Sequence, residues 1–274
     1  MDNTDPSLSQ KGSLQVINIL AFLAVLMVNG LANALPIGGN TTGDISALYP
    51  NLFVPAGLTF SIWGVIYLAL GIFVVYQARD LFSKQKIEMP YLQRIGWYFL
   101  VSCLANVSWI FAWHYEQVLL SLLAMLVLLF SLIMIYIKLD ISGKPVDSAV
   151  GYYVHLPFSL YLGWITVATI ANITAVLVHY QWNGWGLSEV FWTVLVIIAG
   201  TGIALINIIQ RGDIAYNAVI IWAYLGIIIK RYSVDDQPIM TIVFAAALGI
   251  ILIMVGLLFF RKKASFEATV RFDS

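Results

Sequence analysis

Aromatic and amide side chains are the groups in this sequence best suited to chemistry, because they recur inside long apolar runs. The chain has 9 Trp, 14 Tyr and 15 Phe, and Asn106 and Asn172 fall within apolar segments. Aromatic rings offer broad stacking faces. An amide in an apolar segment must find a hydrogen-bond partner in another helix, in trapped water or in a ligand. These residue types favour binding of a flat, mostly apolar ligand.

Patterns typical of catalysis or metal binding are missing from the sequence. It contains no nucleophile elbow, no phosphate-binding glycine loop and no pair of catalytic carboxylates. His114, His155 and His179 fall near the ends of apolar runs, and no two of them have helical metal-ligand spacing. Although His114 and His179 could meet at one surface, we expect no metal site and no enzyme.

Composition places the chain in a membrane. Hydrophobic residues make up 61% of it and charged residues 10%, against about a quarter charged in soluble domains. The net charge is zero and the basic residues are scattered, which excludes a nucleic-acid-binding stripe. The single cysteine, Cys103, cannot form an intrachain disulfide. We therefore expect the lipid bilayer to be the main partner.

Eight apolar runs are long enough to cross a bilayer, which takes about 20 residues of helix. This predicts an all-α polytopic membrane bundle of about eight transmembrane helices. The runs cover approximately 14–35, 56–77, 96–113, 117–137, 152–178, 187–209, 214–229 and 239–260.

The positions of the basic residues predict the orientation, because cytoplasmic loops collect Lys and Arg. With the N-terminus inside, all of the 14 basic residues except Lys230 and Arg231 fall on the cytoplasmic side. We therefore expect a plasma-membrane protein with both termini in the cytoplasm. Ionisable residues are almost absent within the runs, apart from Glu189 in a first helical turn, which argues against ion coupling through buried charges.

Helix geometry predicts a pocket near the outer surface. Trp63 follows Pro55, Asn106 precedes His114 and Asn172 precedes His179 by similar distances along the chain, so the three lie roughly 10–12 Å below that surface. Trp109 would lie slightly above this layer, and Tyr67 and Trp164 slightly below it. The long loop from Pro36 to Pro55 would cover the pocket. The alternative, that these residues only fill the bundle, stays open.

Three motifs give the sequence a family resemblance. They are the stretch from Phe53 to Tyr67, which reads FVPAGLTFSIWGVIY, the motif Asn106-Val-Ser-Trp109, and the motif Tyr161-Leu-Gly-Trp164 with Asn172 eight residues on. In type, order and helix number they resemble the TspO/MBR family of tryptophan-rich sensory or translocator proteins. The matching positions are Pro55, Gly57, Phe60, Trp63, Tyr67, Asn106, Trp109, Tyr161, Trp164 and Asn172.

The chain also departs from the family pattern. Leu58 stands where the family often has a tryptophan, and the step before Trp63 is one residue shorter and lacks its proline. Leu160 replaces a family proline, while Pro157 lies about one turn earlier. These departures leave the expected fold unchanged and bear on the identity of the ligand.

The resemblance covers about residues 14–180, the five-helix core of the family. The expected organisation is a cytoplasmic tail (1–13), the core (14–180), three further helices (181–260) and a basic cytoplasmic tail (261–274). The further helices would cover one flank of the core or replace a dimer partner, and a homodimer stays open.

The resemblance implies binding, and sensing or transport, of a porphyrin or another flat hydrophobic molecule. No cofactor is required, and a tetrapyrrole is the expected ligand. The family's reported light- or oxygen-dependent breakdown of porphyrin is a further alternative, but the acids and bases here do not demand it. Transport of another small solute, without ion coupling through buried charges, is the main alternative. The implied ligand-binding residues are Phe60, Trp63, Tyr67, Asn106, Trp109, Tyr161, Trp164 and Asn172.

Overall fold

A computed structural model describes residues 6–34, 39–234 and 237–272, and across these ranges the chain is helical with no strand. Side chains are described for residues 10–32, 34, 39–233 and 237–260. The tips of both predicted tails (1–5 and 273–274) and the first part of the predicted long loop (36–38) lie outside the described residues.

All eight predicted helices are present. Their bounds are Pro6–Ala34 (α1), Ile62–Gln77 (α2), Tyr98–His114 (α3), Val118–Leu139 (α4), Leu156–His179 (α5), Glu189–Gln210 (α6), Ile214–Ile229 (α7) and Met240–Phe272 (α8). Shorter helices occupy Thr42–Ala47, Pro90–Ile95 and Ser148–Val150. A 3₁₀ turn, Gly57–Ser61, leads into α2, and a π turn, Gly151–His155, leads into α5.

Two predicted boundaries need correction. α1 begins at Pro6 rather than near residue 14, because proline is well suited to a first helical turn and the polar residues that follow continue the helix. At the other end α8 continues to Phe272 instead of stopping near residue 260, since no glycine or proline interrupts residues 257–272. Much of both predicted tails is therefore helical.

The helices have the length and composition of membrane spans. Counted together with the 3₁₀ and π turns that adjoin them, seven of the helices among the described residues are long and apolar enough to cross a membrane; α2 then covers Gly57–Gln77 and α7 covers Ile214–Ser233. The remaining one, α3, has 17 residues, which corresponds to about 25 Å, and it packs against α1 and α4. The protein is a multi-pass helical membrane protein.

Helices α1 to α5 pack as one group, and α7 attaches the last three helices to it. Within the first group α4 packs against α3 and α5, and α2 lies on α1 and α5. Gly163 of α5 marks the seam with α7, since a Cβ there would lie 2.8 Å from the carbonyl oxygen of Tyr216 and 3.1 Å from Cβ of Val219. The missing side chain lets the two helices approach closely.

Among the described residues four charged side chains, all outside the predicted apolar runs, are buried. Lys11 (6% exposed) forms an ion pair with Asp80 (1% exposed), and Asp213 and Arg231 are also buried. The linear sequence places these residues beside the apolar runs, but the chain folds back so that they lie between helices. Burial alone would raise the pKa of Asp80, yet hydrogen bonds from Lys11, the Ile87 N–H and Gln15 lower it to about 2.

Candidate ligand-binding site

Trp63 of α2 lies at the centre of an aromatic cluster. Its ring centroid is 5.4 Å from that of Tyr67 in a stacked arrangement. It is 6.1 Å from the rings of Trp109 of α3 and of Tyr161 and Trp164 of α5. These distances fall within the range of favourable ring pairs. Five of the predicted site residues therefore meet where three helices approach one another.

A narrow cavity opens on one side of Trp63, beneath the segment 39–55, which we call the lid. The volume of this cavity, counted as the space that the centre of a water molecule can occupy, is about 50 Å³. This is enough for a few waters. Its lining is aromatic and apolar with few polar groups. It includes Phe60, Trp63, Trp109, Trp113 and Trp164, together with Asn51 of the lid and Asn172 of α5.

A larger cavity, about 430 Å³ by the same measure, lies on the other side of Trp63, between α1, α2 and α3. Asn29, Gly30 and Tyr67 line it. Phe60, Trp63, Trp109 and Thr42 line both cavities. The Trp63 indole therefore forms part of the wall between the two spaces.

Three of the residues that line these cavities carry a buried polar atom without a described hydrogen-bond partner. These atoms are the indole Nε1 atoms of Trp109 and Trp164 and the hydroxyl oxygen of Thr42. A buried donor without a partner costs on the order of 1–3 kcal/mol. An indole N–H can only donate, so its missing partner must be a hydrogen-bond acceptor.

Asn106 and Tyr161 belong to a polar network next to the cavities and line neither of them. Asn106 accepts from Asn29 Nδ2 at 2.7 Å and donates from Nδ2 to the Tyr161 hydroxyl at 3.0 Å. The Tyr67 hydroxyl donates to Asn29 Oδ1 at 2.8 Å. This network links α1, α2, α3 and α5 and holds two rings of the cluster in place.

The other predicted residues are placed as follows. Asn172 lines the narrow cavity and pairs with Ser121 of α4, its Nδ2 lying 3.1 Å from the serine hydroxyl. Phe60 meets the Trp164 ring edge-on at 6.0 Å. Phe60 and Asn172 therefore line cavity space, whereas Tyr161 belongs to the aromatic cluster without lining a cavity, and Asn106 supports the cluster through its hydrogen bond to Tyr161.

A family model described as TSPO-like protein matches residues 15–259. The chain belongs to the TSPO-like family. The match continues past residue 180, where the motif resemblance ends, and takes in α6, α7 and most of α8. No curated protein and no solved structure matches the chain.

The lid of this TSPO-like protein is held down on α3. Thr41 and Asp44 form a reciprocal capping box at the start of the helix Thr42–Ala47, and the Thr41 hydroxyl and N–H lower the pKa of Asp44. The Trp113 indole donates to the Thr42 carbonyl at 3.2 Å. Further along, Asn51 Oδ1 accepts from the N–H groups of Phe53 and Val54 at 3.1 Å.

Helix α7 and Arg231, which follows it, form hydrogen bonds with the other end of the lid and with the turn after the lid. The Trp222 indole donates to the Thr59 carbonyl at 2.9 Å, and the Ala56 N–H donates to the Gly226 carbonyl at 3.0 Å. Arg231 donates from Nη2 to the carbonyls of Asn51 and Val54 at 3.3 Å. Helix α7 and Arg231, both after residue 180, therefore bear directly on the cover of the pocket.

Sequence reasoning missed several residues at this site. Asn29 is an amide within the first apolar run and carried the same signal as Asn106, but no motif pointed to it. Thr42 and Trp113 had no signal in the sequence, since their role depends on how the lid folds back.

His114 is buried with Nδ1 2.8 Å from the Ile110 carbonyl. In the described part of the chain no group of three His, Cys, Asp or Glu could hold a metal.

Proposed function

We propose that this TSPO-like protein binds a flat hydrophobic molecule carrying hydrogen-bond acceptors, such as a porphyrin, between α2, α3 and α5 under the lid. The observation that carries the proposal is the pair of unpartnered indole N–H groups of Trp109 and Trp164 at one aromatic cavity. A carboxylate or carbonyl on the ligand would supply their missing acceptors.

The size of the site constrains how such a ligand enters. The narrow cavity is far smaller than the roughly 300–1,000 Å³ of ordinary ligand pockets, whereas the cavity beyond Trp63 is about 430 Å³. Trp63 is half-buried and lies between the two. A rotation of its indole would join the cavities into one slot, with the neighbouring rings as stacking faces.

The proposal places the pocket end of the bundle, where α3 and α5 end at His114 and His179, on the outer face of a plasma membrane. The distribution of Lys and Arg supports this orientation. Both termini would then lie in the cytoplasm, and a ligand would reach the lid from outside the cell or from the outer leaflet.

A titration with protoporphyrin IX tests the proposal. Purified protein in detergent is titrated while tryptophan emission is followed, in wild type, Trp63→Ala and Trp97→Ala. Trp97 is 52% exposed at the other end of the bundle, so its replacement removes one fluorophore without touching the site. Saturable quenching in wild type and Trp97→Ala, lost in Trp63→Ala, is expected. Equal binding in all three proteins would overturn the proposal.

One observation favours transport of a small solute as a second candidate. A cavity of about 400 Å³ lies at the opposite end of α5, lined by His155 and Ser159 and by Asp213 at the start of α7. The same helix therefore borders space at both ends of the bundle. Uptake into proteoliposomes tests this candidate, since uptake no faster than into protein-free liposomes would exclude it. A rate that responds to a pH or sodium gradient would indicate coupling, and equal rates would exclude coupling alone.

A further inference from the structure

A third cavity at the pocket end lies outside the aromatic cluster around Trp63. It measures about 540 Å³, within the usual range for small-molecule sites. It lies between the lid, the last turns of α5 and the first turns of α6. Residues 50–53 of the lid form one wall, and Asn51 also lines the narrow cavity beneath the lid.

One face of α6 forms the wall opposite the lid. Glu189, Trp192, Thr193 and Val196 all line the cavity, and their spacing places them on a single face of the helix. On α5 the lining residues Thr174, Leu177 and Val178 follow the same spacing. Both helices therefore present continuous faces to the same space.

Indole rings at the mouth are held in fixed positions. Trp192 donates from Nε1 to the Gly184 carbonyl at 2.9 Å, and its ring centroid lies 4.9 Å from that of Trp182. Both rings line the cavity. The loop between them is shaped by Asn183, whose side chain accepts from the Trp185 N–H at 3.0 Å.

The charge of the lining is negative. Glu189 is the single ionisable residue among the described lining residues, its side chain is exposed, and no ion pair with it occurs among the described residues. The faces of indole rings also attract cations. An apolar wall with a carboxylate and two indoles at its mouth is complementary to an apolar molecule carrying a positive charge.

The geometry points to a second binding site in this cavity, for an amphiphilic organic cation. The apolar body of the ligand lies against Leu177, Val178 and Val196, and its cationic group lies near Glu189 and the rings of Trp182 and Trp192. This site shares the lid with the porphyrin site but none of its aromatic residues, so it does not depend on the proposed function.

Equilibrium dialysis of tetraphenylphosphonium tests the site, with the protein in phosphatidylcholine nanodiscs and empty nanodiscs as background. Triphenylphosphine oxide serves as the uncharged probe. We expect saturable binding of the cation at one site per chain, with an affinity about fivefold lower in Glu189→Gln. Trp192→Leu should weaken binding as well, and Trp63→Ala should leave it unchanged.

Glu116→Gln is the matched control, because Glu116 is an exposed carboxylate at the same end of the bundle that does not line the cavity. Equal losses in the Glu189 and Glu116 variants would mean that general surface charge attracts the probe, and would overturn the site. Binding no greater than to empty nanodiscs, or equal saturable binding of both probes, would overturn it too. Absence of saturable porphyrin binding by the wild-type protein, with saturable cation binding present, would overturn the proposed function alone.

Discussion

Asn29 Nδ2 donates a 2.7 Å hydrogen bond to Asn106 Oδ1, which ties α1 to α3 next to the cavities. Asn106 is fully buried, and its own amide group donates to Tyr161. The Asn106 side chain therefore connects α3 to α1 and α5, with its carbonyl oxygen and its amide nitrogen each in a hydrogen bond within the protein. This pairing makes Asn106 a structural support for the aromatic cluster.

Replacing Asn106 by Ala should lower the free energy of unfolding by about 2–3 kcal/mol, because it leaves a donor on Asn29 and the Tyr161 hydroxyl without this partner. Thermal or denaturant unfolding in detergent measures the loss. In a double-mutant cycle with Asn29→Ala, the combined loss should be smaller than the sum of the single losses. Strict additivity would show that the two amides do not act together.

Trp109→Phe and Trp164→Phe should leave the free energy of unfolding nearly unchanged, because removal of a buried donor without a described partner offsets the loss of ring volume at a buried position. Each should weaken protoporphyrin binding about fivefold, the equivalent of one neutral hydrogen bond. Trp113→Phe is the control, because its indole already donates to the Thr42 carbonyl. That variant should lose about 1 kcal/mol of stability. Unchanged porphyrin affinity in the first two variants would contradict the assigned role.

Gly226→Ala should loosen the lid. A Cβ at this position would lie 2.9 Å from Cβ of Pro55 and closer still to Thr59, so α7 and the lid must separate. We expect a loss of roughly 1–3 kcal/mol in stability and faster dissociation of bound porphyrin in stopped-flow measurements. Gly202→Ala, on the neighbouring helix α6 with open space around it, should change neither. Equal changes in stability and in the rate of porphyrin dissociation in the two variants would rule out that close packing at Gly226 holds the lid against α7.

The ion pair between Lys11 and Asp80 should make stability depend on acid pH. The pKa of Asp80 is lowered from 3.8 to about 2 in the folded protein, so its stabilising effect is fully present above about pH 4 and lost as pH falls toward 2. Melting temperatures measured over this window should fall more steeply in wild type than in Asp80→Asn. Glu88→Gln, an exposed carboxylate of the same loop, should keep the wild-type slope.

The helical fold could be predicted from the sequence because the length of an apolar run is a local property. α7 begins and ends at the predicted residues, Ile214 and Ile229. The meeting of Trp63, Trp109 and Trp164 was also accessible, since depth along each helix follows from counting residues. The boundaries that failed, at Pro6 and Phe272, lie where polar residues continue a helix and hydropathy gives no signal.

What the sequence could not provide is the rotation of each helix about its axis. Depth along the helix predicts Asn106 in the pocket. The rotation of α3 about its axis instead directs the Asn106 amide toward Asn29 and Tyr161. The same limit hid the buried ion pair of Lys11 with Asp80, which needs the segment after α2 to fold back against α1. The partition by the Trp63 indole depends on side-chain orientation, which residue spacing does not determine.

The turn at Asn51 lines both the aromatic cavity and the one beside α6, and the carbonyl of Asn51 is held by Arg231. Because Asn51 lines both cavities, a shift of this turn that widens one cavity narrows the other. Binding of a ligand in one cavity should then change the free energy of binding in the other. Reciprocity then requires that each occupant change the affinity of the other by the same factor. Under the two proposals, the affinity measured for protoporphyrin IX should therefore change when an organic cation occupies the cavity beside α6.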